Sequence, residues 1–350
     1  MKTLVLSLAD KRNNADLKRE SAAIRLLNAN AVYVDALFKL DVSDKDGFIL
    51  ALDGAFDAVL IVGAGKANFD CKAALCDIGV DIDEDGFFVG KRFVAFFTDG
   101  EAFAEKLTAK LSGFFGFSVG RATFRLFGET EEKIRALTDQ ISDEAGTVFF
   151  NVESYALDTK VDLFYSEKTS KFDVDAAIKR FLTTFAKNVY ATEDVTLEKR
   201  LKDLLKLHRL TVSTAESMTG GNIAARIVSV DGASDVFYEG MVTYATAAKE
   251  RRLNVSHKTV VDHTVVSSEV AYEMAASLLE RVDLAISVTG YAGGSVHPDD
   301  SDGTCFIGVG VKNEINVYRF RFTGTRKENI ESATNAALFL AINVIKNTDF

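Results

Sequence analysis

The residues best equipped for chemistry stand in Ala215-Glu216-Ser217-Met218-Thr219-Gly220-Gly221, between the β-branched run Leu210-Thr211-Val212-Ser213-Thr214 and the helix-forming run Asn222-Ile223-Ala224-Ala225-Arg226-Ile227-Val228. A strand that turns into a helix within one heptad leaves backbone N–H groups free at the helix N-terminus, and these suit an oxyanion or a phosphate. Gly220 and Gly221 let a ligand approach the backbone. The same residues also read as a simple N-cap, Ser217 or Thr219, followed by a glycine turn. A serine nucleophile needs a base, and the four histidines His208, His257, His263 and His297 belong to no metal set; HExxH is absent. A Ser-His-Asp triad stays open at this point. The other candidate is a lysine or tyrosine base: Lys249 follows Tyr244 by five residues across the start of a helix. Burial or a neighbouring cation can lower a lysine's pKa until it is neutral near pH 7, and Tyr244 can pass a proton or hold the amine. The plain alternative is a surface lysine.

Composition narrows the class. The chain has 350 residues, 47% hydrophobic and 26% charged, with a net charge of −10. That length predicts two to three domains, and that charge offers nothing to a nucleic-acid backbone. Lys249-Glu250-Arg251-Arg252 is the compact basic cluster, and alone it reads as a solvated helix face. Cys71, Cys76 and Cys305 are an odd number without CxxC spacing, so neither structural zinc nor a disulfide framework is expected, which fits a reducing cytoplasm. The apolar run Met1–Leu8 is too short for a signal peptide, and no stretch approaches a membrane span. One proline, no tryptophan and 27 phenylalanines read as lineage bias.

The elements that position these residues fall into three parts, giving a multidomain α/β chain. Residues 1–113 alternate strands at Leu4–Leu8, Ala31–Val34, Ala58–Gly63 and Val89–Phe97 with helices at Leu17–Asn28 and Glu101–Leu111, which predicts a mostly parallel sheet covered by helices. Val62-Gly63-Ala64-Gly65-Lys66 lacks both the dinucleotide and the P-loop pattern and reads as a structural turn. Residues 114–195 form a small α+β module: a strand at Arg121–Phe127, a helix at Glu129–Ser142, a hairpin from Thr147–Val152 and Lys160–Tyr165, and a helix at Val174–Tyr190. Residues 196–350 begin with a helix at Thr196–Leu207. They continue with the opening heptad, a strand at Phe237–Tyr244, a helix at Ala245–Leu253, and Ser267 capping a helix at Val270–Glu280. Strands at Asp283–Gly290, Gly303–Val311 and Asn316–Phe322 and a helix at Lys327–Lys346 follow. Hydroxyls and glycines at three strand ends sit where open α/β sheets place ligands.

The third part resembles the C-terminal domain of the CinA (competence-damage-inducible) family. Ala215–Gly221 matches Ala-Glu-Ser-x-Thr-Gly-Gly, Gly232-Ala233-Ser234 matches Gly-Ala-Ser, and Thr243-Tyr244 with Ala248-Lys249 matches Thr-Tyr followed by Ala-Lys. His263 with Val266-Ser267, Thr289-Gly290-Tyr291-Ala292-Gly293 and Gly303-Thr304 match later elements in order. Residues 121–194 are similar to the family's middle module through Arg121–Gly128 and Val189–Asp194.

The resemblance implies an α/β sandwich with an open sheet that hydrolyses nicotinamide mononucleotide to nicotinic acid mononucleotide and ammonia, without a cofactor or metal. Ser217 attacks, Lys249 accepts and returns the proton, and Tyr244 supports the transfer. N–H groups near Thr219, Gly220 and Gly221 hold the oxyanion, and Thr289, Gly290 and Arg326 take the 5′-phosphate. The expected partner is a small nucleotide, not nucleic acid or membrane, and the expected assembly is a homodimer. The alternative is a non-catalytic nucleotide-binding or scaffold protein. Three departures bear on substrate preference: residues 294–302 replace the family's proline and glycine-rich segment, Thr325 an aspartate before the arginine, and Thr246 an asparagine after the tyrosine. The N-terminal part resembles a shortened molybdopterin-binding-like domain, whose glycine-rich signature is reduced to residues 62–70 with Asp70 as the clear counterpart. Metal-dependent ADP-ribose hydrolysis is therefore expected to be absent, leaving a role in folding or assembly.

Overall fold

The computed structural model describes residues 2–9, 17–29, 32, 34–41, 43–52, 54–63, 66–84, 86–98, 101–115, 119–166, 169–293, 302–312 and 314–349. Contacts divide the chain into two compact units, one of residues 1–121, 142–151 and 162–175 and one of residues 122–141, 152–161 and 176–350. Segment 114–195 thus contributes to both.

The first unit is built on β1 (Thr3–Ala9), α1 (Leu17–Ala29), β2 (Ala36–Asp41), α2 (Lys45–Leu52), β3 (Ala58–Val62), α3 (Lys66–Asp77), β4 (Phe87–Val89), β5 (Arg92–Phe96) and α4 (Glu101–Phe115). Its sheet runs β2-β1-β3-β5-β4, parallel except for the edge strand β4. Alternate residues of the central strands enter two separate cores, Leu4, Leu6, Val59 and Ile61 on one face and Val5, Leu60 and Val62 on the other. A period of two with both faces apolar is the signature of a sheet covered on both sides.

The expected strand at Ala31–Val34 is displaced. The strand paired with β1 begins at Ala36, and the Asp35 carboxylate accepts the Thr3 N–H just ahead of it. Residues 31 and 33, and residues 64 and 65 of the glycine turn, lie outside the described residues.

The middle segment contains β6 (Val119–Phe127), α5 (Glu131–Ala145), β7 (Val148–Tyr155), β8 (Asp158–Ser166), α6 (Lys171–Thr184) and β9 (Val189–Ala191), in a sheet ordered β7-β8-β6-β9. Ala156 and Leu157, with φ of 49° and 66°, make the left-handed turn that suits a two-residue hairpin. The helix expected to run to Tyr190 stops at Thr184. Asn188 donates its N–H back to the Phe185 carbonyl, and Val189–Ala191 leave to pair with β6.

The C-terminal region comprises α7 (Leu197–His208), β10 (Val212–Glu216), α8 (Asn222–Val228), β11 (Phe237–Val242), α9 (Thr246–Leu253), α10 (His257–His263), α11 (Ser268–Leu279), β12 (Leu284–Gly290), β13 (Thr304–Val311), β14 (Glu314–Arg321) and α12 (Arg326–Lys346). The sheet order is β11-β10-β12-β13-β14. The first three strands are parallel and the last two antiparallel. Every residue of β10 is buried, and its alternation separates the faces: Val212 joins the core with Ile223 and Ala336, and Ala215 the core with Leu253, Met274 and Leu278. Helices cover both sides of an open α/β sheet. Thr196 and Ser267 cap α7 and α11 as their residue types predict. Among the described residues no helix is long and apolar enough to cross a membrane, and no group of three His, Cys, Asp or Glu could hold a metal ion.

Candidate active site

The parallel strands β11, β10 and β12 end side by side, and the chemistry-bearing residues gather at those ends. Ser217 follows β10, the central strand of the three, and its N–H is held by the Val288 carbonyl of β12, 2.9 Å away. Lys249 lies on α9, directly after β11. It is 1% exposed and shares the inward face of α9 with Leu253. The reading of Lys249 as a surface residue is therefore corrected: the short helix turns it into the core.

Its Nζ lies 2.9 Å from Ser217 Oγ, 2.8 Å from the Thr243 carbonyl and 3.2 Å from the Tyr244 carbonyl. Burial lowers the amine from its ordinary 10.5 to about 8. A neutral amine has two N–H bonds and one lone pair. The two fixed carbonyls are acceptors only, so they take the N–H bonds and the lone pair is left for the Ser217 hydroxyl. That is the arrangement of a base poised on a nucleophile.

Tyr244 meets Lys249 through its backbone. The residue is 64% exposed, and its hydroxyl lies 3.3 Å from Arg326 Nη2, so the ring hydroxyl is not the group that holds or relays to the amine. Arg326 opens α12 and donates Nη1 to the Gly293 carbonyl at 2.8 Å, which leaves it exposed at the rim beside Tyr244. Thr325 ahead of it is the helix cap, closing a capping box with Glu328. The threonine that replaces an aspartate thus fills the position an aspartate would fill.

The glycine turn differs from the expectation. The N-cap of α8 is Gly221, with φ of 98°, and neither Ser217 nor Thr219 caps the helix. Gly220 donates its N–H to the Ser217 carbonyl and Gly221 donates to the Glu216 carboxylate, so these two N–H groups are engaged within the turn. Among the described residues, neither the Met218 nor the Thr219 N–H meets an acceptor, and the Thr219 hydroxyl is buried without a hydrogen-bond partner.

Thr289 is also turned away: its hydroxyl donates to the Val265 carbonyl at 2.8 Å, and the residue is fully buried. Gly290 serves packing, since a Cβ there would stand 2.4 Å from Met218 Sδ and 2.5 Å from Cys305 Cβ. Neither residue offers a side-chain donor to a phosphate. Burial pushes the neighbouring Cys305 thiol up to about 12, which removes it as a nucleophile near pH 7. Residues 294–301 of the altered loop lie outside the described residues.

The residue that the sequence reading passed over is Glu216. Fully buried, it accepts the N–H groups of Gly221, Ile223 and Ala224 at 3.0, 3.1 and 2.9 Å, and the Thr214 hydroxyl at 3.1 Å. The available signal was an acidic residue ending an apolar strand just ahead of a helix that has no capping side chain of its own.

The family model of the CinA C-terminal domain matches residues 194–345. Residues 194–345 belong to the CinA C-terminal domain family. A CinA-like protein of Chlorobaculum tepidum is 38% identical over 190 residues, 51% of this chain and 45% of that one. A CinA-like protein of Chloroherpeton thalassium is 42% identical over 159 residues, 43% of this chain and 38% of that one. Among solved structures, a CinA superfamily protein from Klebsiella pneumoniae is 30% identical with a TM-score of 0.42, covering 43% of this chain and 97% of that one. The chain spans about half the length of the curated relatives it matches, from 45% to 58% for three of them.

Proposed function

We propose that this chain is an amidohydrolase that converts nicotinamide mononucleotide and water to nicotinic acid mononucleotide and ammonia. The observation that carries the reading is the buried Lys249 amine, lowered to about 8 and 2.9 Å from the Ser217 hydroxyl. Ser217 Oγ attacks the carboxamide carbon as its proton passes to Lys249 Nζ. The tetrahedral oxyanion is met by the Thr219 N–H, which like the Met218 N–H has no acceptor of its own among the described residues. The C–N bond then breaks with the proton returned from Lys249, releasing ammonia and leaving an ester on Ser217. Water, deprotonated by the same amine, attacks that ester, and the C–Oγ bond breaks as Lys249 returns the proton to Ser217 Oγ, freeing the acid, which ionises to the carboxylate product. Division into two steps replaces one high barrier by two lower ones.

Arg326 is the remaining candidate for the 5′-phosphate, because its guanidinium is exposed beside Tyr244, whereas Thr289 and Gly290 are committed to the fold. Arg326→Ala is expected to raise KM for nicotinamide mononucleotide by about 10-fold or more with kcat changed less than about twofold, as befits loss of a charge-assisted contact equal in ground and transition states. Steady-state kinetics against nicotinamide riboside, which lacks the phosphate, supply the control: the variant and the wild type should be alike there. The function itself is tested by product analysis. One ammonia and one carboxylate per nucleotide consumed support it, and nucleotide binding without ammonia release would favour the non-catalytic alternative.

A further inference from the structure

We infer that Glu216 is the positioning residue of the Ser217 nucleophile, a buried carboxylate clamp that closes the turn on which the serine is carried. The inference rests on the reading of Ser217 as nucleophile and goes beyond it, because Glu216 touches neither the reacting atoms nor Lys249.

The turn from Ser217 to Gly221 leaves the sheet at Glu216 and returns as α8. Its two ends are joined by one side chain. Glu216 Oε2 accepts from Gly221 and Ile223, and Oε1 from Ala224 and Thr214 Oγ1. A carboxylate is acceptor-only, so it satisfies all four donors at once, whereas a carboxamide of the same shape would turn an NH2 group against backbone N–H donors. The residue is fully buried, and these four bonds replace the water that a charged group there has lost.

The clamp also explains why the start of α8 cannot serve as an anion site. Its free N–H groups already hold an anion, and that anion is part of the chain. The backbone of Glu216 works in the same direction. Its carbonyl accepts the Thr243 N–H at 2.8 Å, and the Thr243 carbonyl in turn accepts from Lys249 Nζ at 2.8 Å. One residue thus ties the serine's turn to the peptide that orients the lysine.

The test uses the full chain with Glu216→Gln and Thr214→Val, read by steady-state kinetics and by the rate at which a fluorophosphonate probe labels Ser217. In folded Glu216→Gln, kcat and labelling rate are expected to fall together by about 30-fold or more, with KM within about threefold, since the substrate contacts remain while the nucleophile is misplaced. Thr214→Val removes one of the four bonds and is expected to lower both rates by about two- to fivefold. Circular dichroism and labelling stoichiometry separate a slower site from a smaller folded fraction. Wild-type labelling and turnover in folded Glu216→Gln would overturn the clamp. If that variant does not fold, an unchanged labelling rate in Thr214→Val does the same. Labelling of wild-type Ser217 without ammonia release would sink the amidase reading and leave the clamp standing on the labelling rates. No labelling of wild-type Ser217 would remove both.

Discussion

Ser217→Ala is expected to abolish ammonia release from nicotinamide mononucleotide, by at least about 10⁴-fold, in a protein that stays folded. The hydroxyl's hydrogen-bond contact is Lys249 Nζ, and its loss leaves the amine with the Thr243 and Tyr244 carbonyls. The Ser217 N–H keeps its bond to Val288, so the turn retains its anchor on β12. The cost to stability is that of one polar contact, about 1 kcal/mol, which thermal melting reads as a shift of a few degrees at most. Nucleotide binding should survive, because none of the rim contacts involve the hydroxyl. Loss of both binding and folding in this variant would instead place Ser217 in the framework.

Lys249→Met is expected to be as inactive, by about 10³-fold or more, yet to change stability little at neutral pH. The downward shift from 10.5 to about 8 means that burial disfavours the charged amine by about 3 kcal/mol. Methionine removes that cost. It also leaves the two carbonyls without their donor, at about 1–3 kcal/mol each, so the opposing effects are of similar size.

The pH dependence of stability distinguishes the two proteins more sharply. The folded amine releases its proton near 8 and the unfolded one near 10.5, so between these values the unfolded chain binds more protons. Wild-type stability should therefore rise with pH across that window relative to Lys249→Met, and the full cost should be present below it. Urea unfolding at pH 7.5 and pH 10 measures the difference.

Much of this architecture was legible in the sequence wherever a period ran long enough. Strands β12 and β13 are mostly apolar on both faces because helices cover both, and such runs are visible without a structure. The short elements were not legible. Helix α10 has no buried residue, and β9 is three residues long, so neither carries a pattern. Helix α2 includes Gly47, a residue that argues against a helix, and β2 exposes Leu37 and Phe38, which blurs its alternation.

At the candidate site, the residue types and their order pointed to Ser217 and Lys249, but burial of the lysine depends on which face α9 turns inward. That is a tertiary property. The placements of Thr289, Gly290 and the Tyr244 phenol were hidden for the same reason: the hydroxyl of Thr289 has a local carbonyl to bond, Gly290 makes room for Met218, and Tyr244 presents its backbone inward and its ring outward. Glu216 escaped notice because a side chain that caps from ahead of the turn is not at the N-cap position where a cap is normally sought.

The central claim is that a neutral, buried Lys249 draws the proton from Ser217, and the rate of ammonia release from nicotinamide mononucleotide between pH 6 and pH 10 tests it most directly. The account predicts that kcat/KM rises with pH along a single limb whose midpoint lies near the amine's value of about 8 and then levels off. A rate that is flat or falling through that window, or one that Ser217→Ala reproduces, would contradict it.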